Sequence, residues 1–306
     1  VETDLRCSVW TAAQDVDPVG SAGRHDVIVL VETRGVWPAD VGTLPGIAET
    51  IAAIPGALVL SVVPAPERVA AGGVGVTIWR RGSSSAGSSV LEGEDVLLAD
   101  DRWADDLPAL VSGDDVPPTV ERLGAAPPEV LVCGHGKRDR CCGNFGVRLA
   151  TSVEGRWPGV RVRRVSHLGG HRYAPTALTL PDGRLWAFLD PDVLDRALAG
   201  TVDAADLARC HRGSTAFDPW QQTVESALWA RFGAAWLETE VLDATTDRRP
   251  DGTAEVRLRW VGPAGDGEAR AVVEVTRELP VPVCGAPIGE AVKTSREYGV
   301  RELELR

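Results

Sequence analysis

A mixed α/β (α+β) fold in three parts is what this sequence predicts: two α/β layer units, then a C-terminal helix and an antiparallel strand extension. Three observations carry the expectation. Apolar runs at strand length alternate with segments of helical spacing twice over, the first time between Asp26 and Val111 and again between Glu129 and Cys210. The proline-rich stretches Asp114-Asp-Val-Pro-Pro118 and Ala125-Ala-Pro-Pro128 separate the two series. After Asp218 the pattern changes to one broad helical stripe and then to alternating strands. The boundaries expected are 1–118, 119–212 and 213–306.

Taken in order, residues 1–25 carry few periodic signals. Asp26-Val-Ile-Val-Leu-Val-Glu32 is a continuous apolar run, the mark of a strand buried on both faces. Leu44 to Ile54 has helical spacing and stops at Pro55-Gly56. Leu58–Val63 and Gly75–Trp79 are strands, the stretch from Arg81 through its serines and glycines is a flexible loop, and Val90-Leu91 and Val96–Ala99 are short apolar pieces before a helix from Trp103 to Val111. In the second unit Glu129–Cys133 is a strand ending on a cysteine. Asn144–Val153 is a helix with Phe145, Val147, Leu149 and Val153 inward. Val160–Val165 alternates like a half-exposed strand, and Ala177–Leu180 with Leu185–Leu189 forms a hairpin about Pro-Asp-Gly183. Val193–Leu198 and Ala204–Cys210 are helical. This strand–helix–strand–hairpin–helix order is the thioredoxin-like arrangement. Asp218-Pro219 caps a last helix to Gly233, and strands follow around 241, 254–260 and 269–275.

The net charge of -12 and pI near 5.0 argue against a surface built for nucleic acid or an anionic membrane. The charge is uneven: Cys133 to Arg172 holds nine Lys/Arg against only Asp139 and Glu154, a balance of +7, which leaves about -19 elsewhere. That basic face either pairs with the acidic remainder or docks a partner. No run reaches membrane-span length and no apolar leader stands at the N-terminus, so a cytoplasmic location is expected.

Three of six cysteines and three of five histidines fall between Val132 and Tyr173, in Cys133-Gly-His-Gly-Lys-Arg-Asp-Arg-Cys141-Cys142-Gly and Ser166-His167-Leu-Gly-Gly-His171-Arg. Clustered sulfur and imidazole donors followed by glycines point to a metal centre, and two cysteines with two histidines suit a [2Fe-2S] cluster. The gap from Cys133 to Cys142 is too long for the first pair of a zinc finger. Gly134, Gly136 and Gly143 let the backbone approach inorganic sulfide. Exchanging two thiolates for imidazoles makes a cluster less negative and favours reduction; His₂-ligated centres lie at roughly -150 to +300 mV against about -400 mV for plant-type ones. Basic neighbours push the same way, and the imidazoles couple electron uptake to protons. His135, Cys141 and Arg172 are candidates for supporting contacts, with His135 read as a surface or supporting residue. Cys7, Cys210, Cys284 and His211 are scattered and read as structural.

Cys133-x8-Cys142-Gly followed by His167-x3-His171 resembles the sucrase/ferredoxin-like family over about residues 20–212. The resemblance implies thioredoxin-like ferredoxin architecture in the second unit and a thioredoxin-like first unit. It also implies Cys133 and Cys142 on one iron, His167 and His171 on the other, and an electron-transfer role with a redox partner of reductase or ferredoxin/flavodoxin type docking at the basic 137–172 face. The doubled Cys141-Cys142 leaves two choices for the second sulfur; the family's Cys-Gly pattern implies Cys142.

Two other functions compete with a Rieske-like electron carrier. A thioredoxin-like thiol oxidoreductase lacks its Cys-x-x-Cys here, and a zinc-stabilised interaction module would be decided by metal analysis. A sugar hydrolase has little support, because no carboxylate pair is marked out as acid and nucleophile.

Overall fold

Runs of valine, isoleucine and leucine become the inner strands of one mixed sheet in the computed structural model, which describes residues 5–65, 72–82, 90–99, 101–113 and 119–306. The serine-rich loop expected after Arg81 falls largely on 83–89, and the acidic proline stretch on 114–118, both outside the described residues. A short helix α1 (Cys7–Ala13) comes first. Strands β1 (Val27–Glu32) and β2 (Leu58–Val62) pair in parallel across helix α2 (Ile47–Ala53), and β3 (Gly73–Arg81) and β4 (Leu91–Ala99) form an antiparallel hairpin beside β1. Helix α3 (Trp103–Ser112) follows, and β5 (Glu121–Ala125) adds an exposed edge strand to β4. Helix α2 starts later than its periodicity suggests, since Pro45 disfavours a helical Leu44 and Gly46 stands at φ 79°.

The same order recurs. Strands β6 (Glu129–Cys133) and β7 (Arg161–Val165) are parallel across helix α4 (Val147–Ser152), and β8 (Ala177–Leu180) and β9 (Arg184–Trp186) form the hairpin beside β6. Helices α5 (Pro191–Leu198) and α6 (Ala204–Cys210) follow, then β10 (His211–Ser214) on the edge at β9. Strands β2 and β7 meet antiparallel at Val62 and Val165, so the ten strands run β10-β9-β8-β6-β7-β2-β1-β3-β4-β5. Ser166 seals this seam, its N–H donating to Ser61 O at 2.8 Å while its Oγ accepts from Ser61 N–H at 3.0 Å.

The seam is also charged. Glu129, fully buried, accepts from Trp79 Nε1 at 3.2 Å and pairs with Arg161 and, at 2.7 Å, with Arg163; Arg161 in turn reaches Asp95 at 2.7 Å. Strand β7 is therefore not simply apolar inside and polar outside: Arg163 is buried, Arg161 half-buried and Arg164 exposed. The acids opposite compensate the two inward arginines, which local alternation cannot reveal.

Helix α7 (Pro219–Phe232) starts at Asp218, whose carboxylate accepts from Gln221 N–H while Gln221 Oε1 accepts from Asp218 N–H, a reciprocal cap. Beyond it β11 (Glu240–Arg248), β12 (Ala254–Val261), β13 (Gly267–Pro280) and β14 (Thr294–Leu305) form an antiparallel sheet. Val130 and Val132 of β6 share one apolar core with α4 to α7 and with Val256, Leu258 and Val273 of this sheet. Arg184 of β9 and Glu225 of α7, both buried, pair at 2.6 Å. The segment between β13 and β14 returns to α1, where Gly285 N–H donates to Leu5 O at 2.9 Å. No helix among the described residues is long and apolar enough to cross a membrane.

Candidate metal centre

Parallel strands that end side by side leave a crevice beyond their carboxyl ends, and β6 and β7 end on Cys133 and Val165, which are register partners. Cys133 closes β6, and His167 lies two residues past β7. The intervening loop folds back on itself. Gly136 and Gly143 pack backbone to backbone, and a Cβ at Gly143 would collide with Gly136. A wide helical turn, Cys142–Gly146, then leads into α4. Gly146 lies so close to the Cys133 carbonyl oxygen that any side chain there would overlap it. Together these contacts set Cys142 beside Cys133.

Cys133 Sγ and Cys142 Sγ lie 3.8 and 3.9 Å from His167 Nδ1, and these three donors all fall within 4.8 Å of one another. Both cysteines are buried and His167 is half-buried. The Cys142 thiol hydrogen bond, helped by His167, holds the Cys133 thiol well below its usual range despite burial, while the same bond and burial push Cys142 up. Two sulfurs and an imidazole this close together make an electron-rich pocket suited to a cation.

His171 is placed differently. Its ring centroid is 6.0 Å from that of His167, but its Nδ1 faces Asp139 Oδ2 at 3.2 Å and Cys7 Sγ at 3.4 Å. Only its Nε2 is left for the first group.

A second group adjoins it. Cys7, Asp139, Cys141 and Cys284 offer donor atoms all within 4.8 Å of one another. Cys141 Sγ is 3.2 Å from Cys284 Sγ, Cys284 Sγ is 3.4 Å from Cys7 Sγ, and Asp139 Oδ1 is 3.5 Å from both Cys7 and Cys284. Asp139 Oδ1 also accepts from the N–H of Cys141 at 2.8 Å and of Cys142 at 3.4 Å. Burial raises the Asp139 carboxyl, but His171 and the Cys141 amide outweigh burial and hold it below its ordinary value. Hydrogen bonds with Cys284 and Cys7 pull Cys141 down, while those of Cys7 with Cys141 and Cys284 push Cys7 up.

The vicinal cysteines thus face different groups: Cys142 joins Cys133, and Cys141 joins Cys7 and Cys284. Cys7 and Cys284, scattered along the chain, converge in space, because distance along the chain says nothing of proximity in the fold. Cys210 does lie in the apolar core, and His211 is buried between Trp186 and Trp229. His135 is buried rather than on the surface; its Nε2 meets Pro38 O at 2.8 Å and its ring packs edge-on to Trp37, while its backbone hydrogen-bonds Cys133. Arg172 lies over the Tyr173 ring. Arg212 went unnoticed in the sequence. Its buried guanidinium donates to Ser21 O at 2.7 Å and to Gly169 O at 3.2 Å, which pins the His167–His171 loop. An arginine on a short edge strand carries no signal of that role.

Residues 18–213 match the model of the sucrase/ferredoxin-like family. The chain belongs to that family. No curated protein and no solved structure matches it. Within the sucrase/ferredoxin-like region lie Cys133, Cys142, His167 and His171, together with Asp139 and Cys141; Cys7 and Cys284 lie outside it, one on either side.

Proposed function

We propose that Cys133, Cys142, His167 and His171 hold a [2Fe-2S] cluster and that the protein is an electron carrier. The observation that carries this reading is the convergence of two buried cysteines and His167 at the ends of two neighbouring parallel strands. Two sulfurs with imidazoles are donors that iron–sulfur centres accept, and the family supports the same class. When bound, such a cluster supplies one-electron exchange, at a potential raised by replacing two thiolates with imidazoles.

The chain's own residues set the conditions. Gly136, Gly143 and Gly146 permit the close turns that bring Cys142 to Cys133. Arg212 fixes the histidine loop and adds a buried positive charge beside the sulfurs. Both histidines are half-buried. Arg156, Arg161 and Arg163 are engaged by Asp195, Glu129 and Asp95. Docking of a reductase or of a ferredoxin- or flavodoxin-type partner on the basic face therefore rests on exposed Lys137, Arg138, Arg148 and Arg164.

A second reading has one observation in its favour. The three donors of the first group close on a single point, the arrangement of a mononuclear zinc ion with a fourth position free. Iron, labile sulfide and zinc analysis of the purified full chain, with EPR of the reduced protein, separates the two. The electron-carrier reading expects two irons and two sulfides per chain, a low average g, and a shift towards ferredoxin-like values in His167→Cys and His171→Cys. A colourless protein with zinc bound through Cys133 and Cys142 would refute it.

A further inference from the structure

Three segments far apart in sequence meet at the second sulfur group. Cys7 opens α1, Cys141 lies in the loop that carries Cys142, and Cys284 lies between β13 and β14. Cys7 and Cys141 are fully buried and Cys284 half-buried. Apolar packing needs no such convergence, and it gives no reason for a carboxylate 3.5 Å from two of the sulfurs. Buried Asp139 also faces His171 Nδ1 at 3.2 Å.

We propose that Cys7, Cys141 and Cys284, with Asp139 as the fourth donor, form a structural zinc site. Its donors number four, and the three thiols match the soft end of what zinc accepts. A tetrahedral ion with sulfur at about 2.3 Å separates its sulfurs by roughly 3.8 Å. The sulfurs already stand at 3.2 and 3.4 Å, so small side-chain adjustments open the cage. Disulfide formation would consume two of the three thiols and leave the third beside Asp139 without a role. His171 Nδ1, 3.2 Å from Asp139 Oδ2, orients the carboxylate from outside, as imidazole–carboxylate pairs do around metals. The site ties α1 and the β13–β14 segment, both beyond the family-matched residues 18–213, to the loop bearing Cys142. It stands independently of what the first group holds.

The test uses the full chain purified without oxygen, with metal content measured by mass spectrometry and zinc K-edge absorption recorded on the same sample. One zinc per chain is expected, with about three sulfurs near 2.3 Å and one lighter donor. Cys284→Ser and Cys7→Ser should each lower zinc at least tenfold at limiting metal while leaving the metal bound by Cys133 and Cys142 unchanged. Cys133→Ser should do the reverse, so a failure at one group is distinguishable from a failure at the other. If a variant does not fold, the absorption spectrum of the unaltered chain decides alone. A chain without zinc, a disulfide among Cys7, Cys141 and Cys284 in the anaerobic sample, or zinc that departs with Cys133 rather than Cys284 would overturn the proposal.

Discussion

Replacing Gly146 with alanine separates steric fit from helix propensity at the turn that carries Cys142. Gly146 has φ -67° and ψ -42°, ordinary helical values open to any residue. On propensity alone, alanine would stabilise the helix by about 1 kcal/mol. The structure reverses that sign. The new Cβ would overlap the carbonyl oxygen of Cys133 at the end of β6, a backbone atom held by its sheet and unable to swing aside. Relief requires the turn to retreat by on the order of 1 Å, and overpacking of this kind costs roughly 1–3 kcal/mol. The net expectation is a loss of up to about 2 kcal/mol, or up to roughly 3 °C in Tm for a chain of this length. The effect on the metal centre is larger, since ligand distances tolerate only about ±0.2 Å. Metal bound through Cys133 and Cys142 should fall several-fold. Calorimetry and metal analysis of Gly146→Ala are to be read against Gly289→Ala, where the exposed glycine has open space around it. A Gly146→Ala protein that melts higher than the parent and keeps its metal would refute the argument that Gly146 sets the Cys133–Cys142 approach.

Further outcomes follow from the buried charges. Glu129→Ala should destabilise by about 3 kcal/mol or more, because it leaves buried Arg163 and half-buried Arg161 without the carboxylate between them; urea titration checks this, and a change below about 0.5 kcal/mol would show that the seam tolerates the two cations. His211 is completely buried and its pKa is pushed down to about 4. Above pH 6.5 the ring is neutral folded or unfolded; between 6.5 and 4 only the unfolded chain takes the proton. Stability should therefore fall through that window by up to about 3 kcal/mol. His211→Gln should remove this part of the slope, and parallel pH profiles for the two proteins would contradict it. Arg212→Met should loosen the 167–171 loop and shift the EPR signal of the loaded protein with little change in iron content; an unaltered spectrum would deny Arg212 its positioning role.

The inner strands were legible because unbroken apolar runs have few other fates, and Asp218-Pro219 announced α7 through its cap. Helix α1 was not: seven residues without a side-chain cap carry too little periodicity, and the helix is held by what it packs against. Strand β14 escaped for a related reason, since most of its residues remain partly or fully exposed and its order comes from long pairing with β13. The split polar and apolar pieces around 90–99 turned out to be the single strand β4, with buried Asp95 matched to Thr77 and Arg161. At the centre, the cysteines and His167 could be found by clustering and spacing. Cys7 and Cys284 could not, because their neighbours in space lie 132 to 277 positions away.

The knot at the seam between β2 and β7 bears on how the chain matures during synthesis. Trp79 finds its indole acceptor on Glu129, fifty positions downstream, and Asp95 meets Arg161 after a further stretch has emerged. The early strands therefore assemble beside a ribosome that still holds some of their counter-charges, and they acquire these only as β6 and β7 appear. A nascent chain arrested before Arg161 should be markedly more sensitive to protease than one arrested after it.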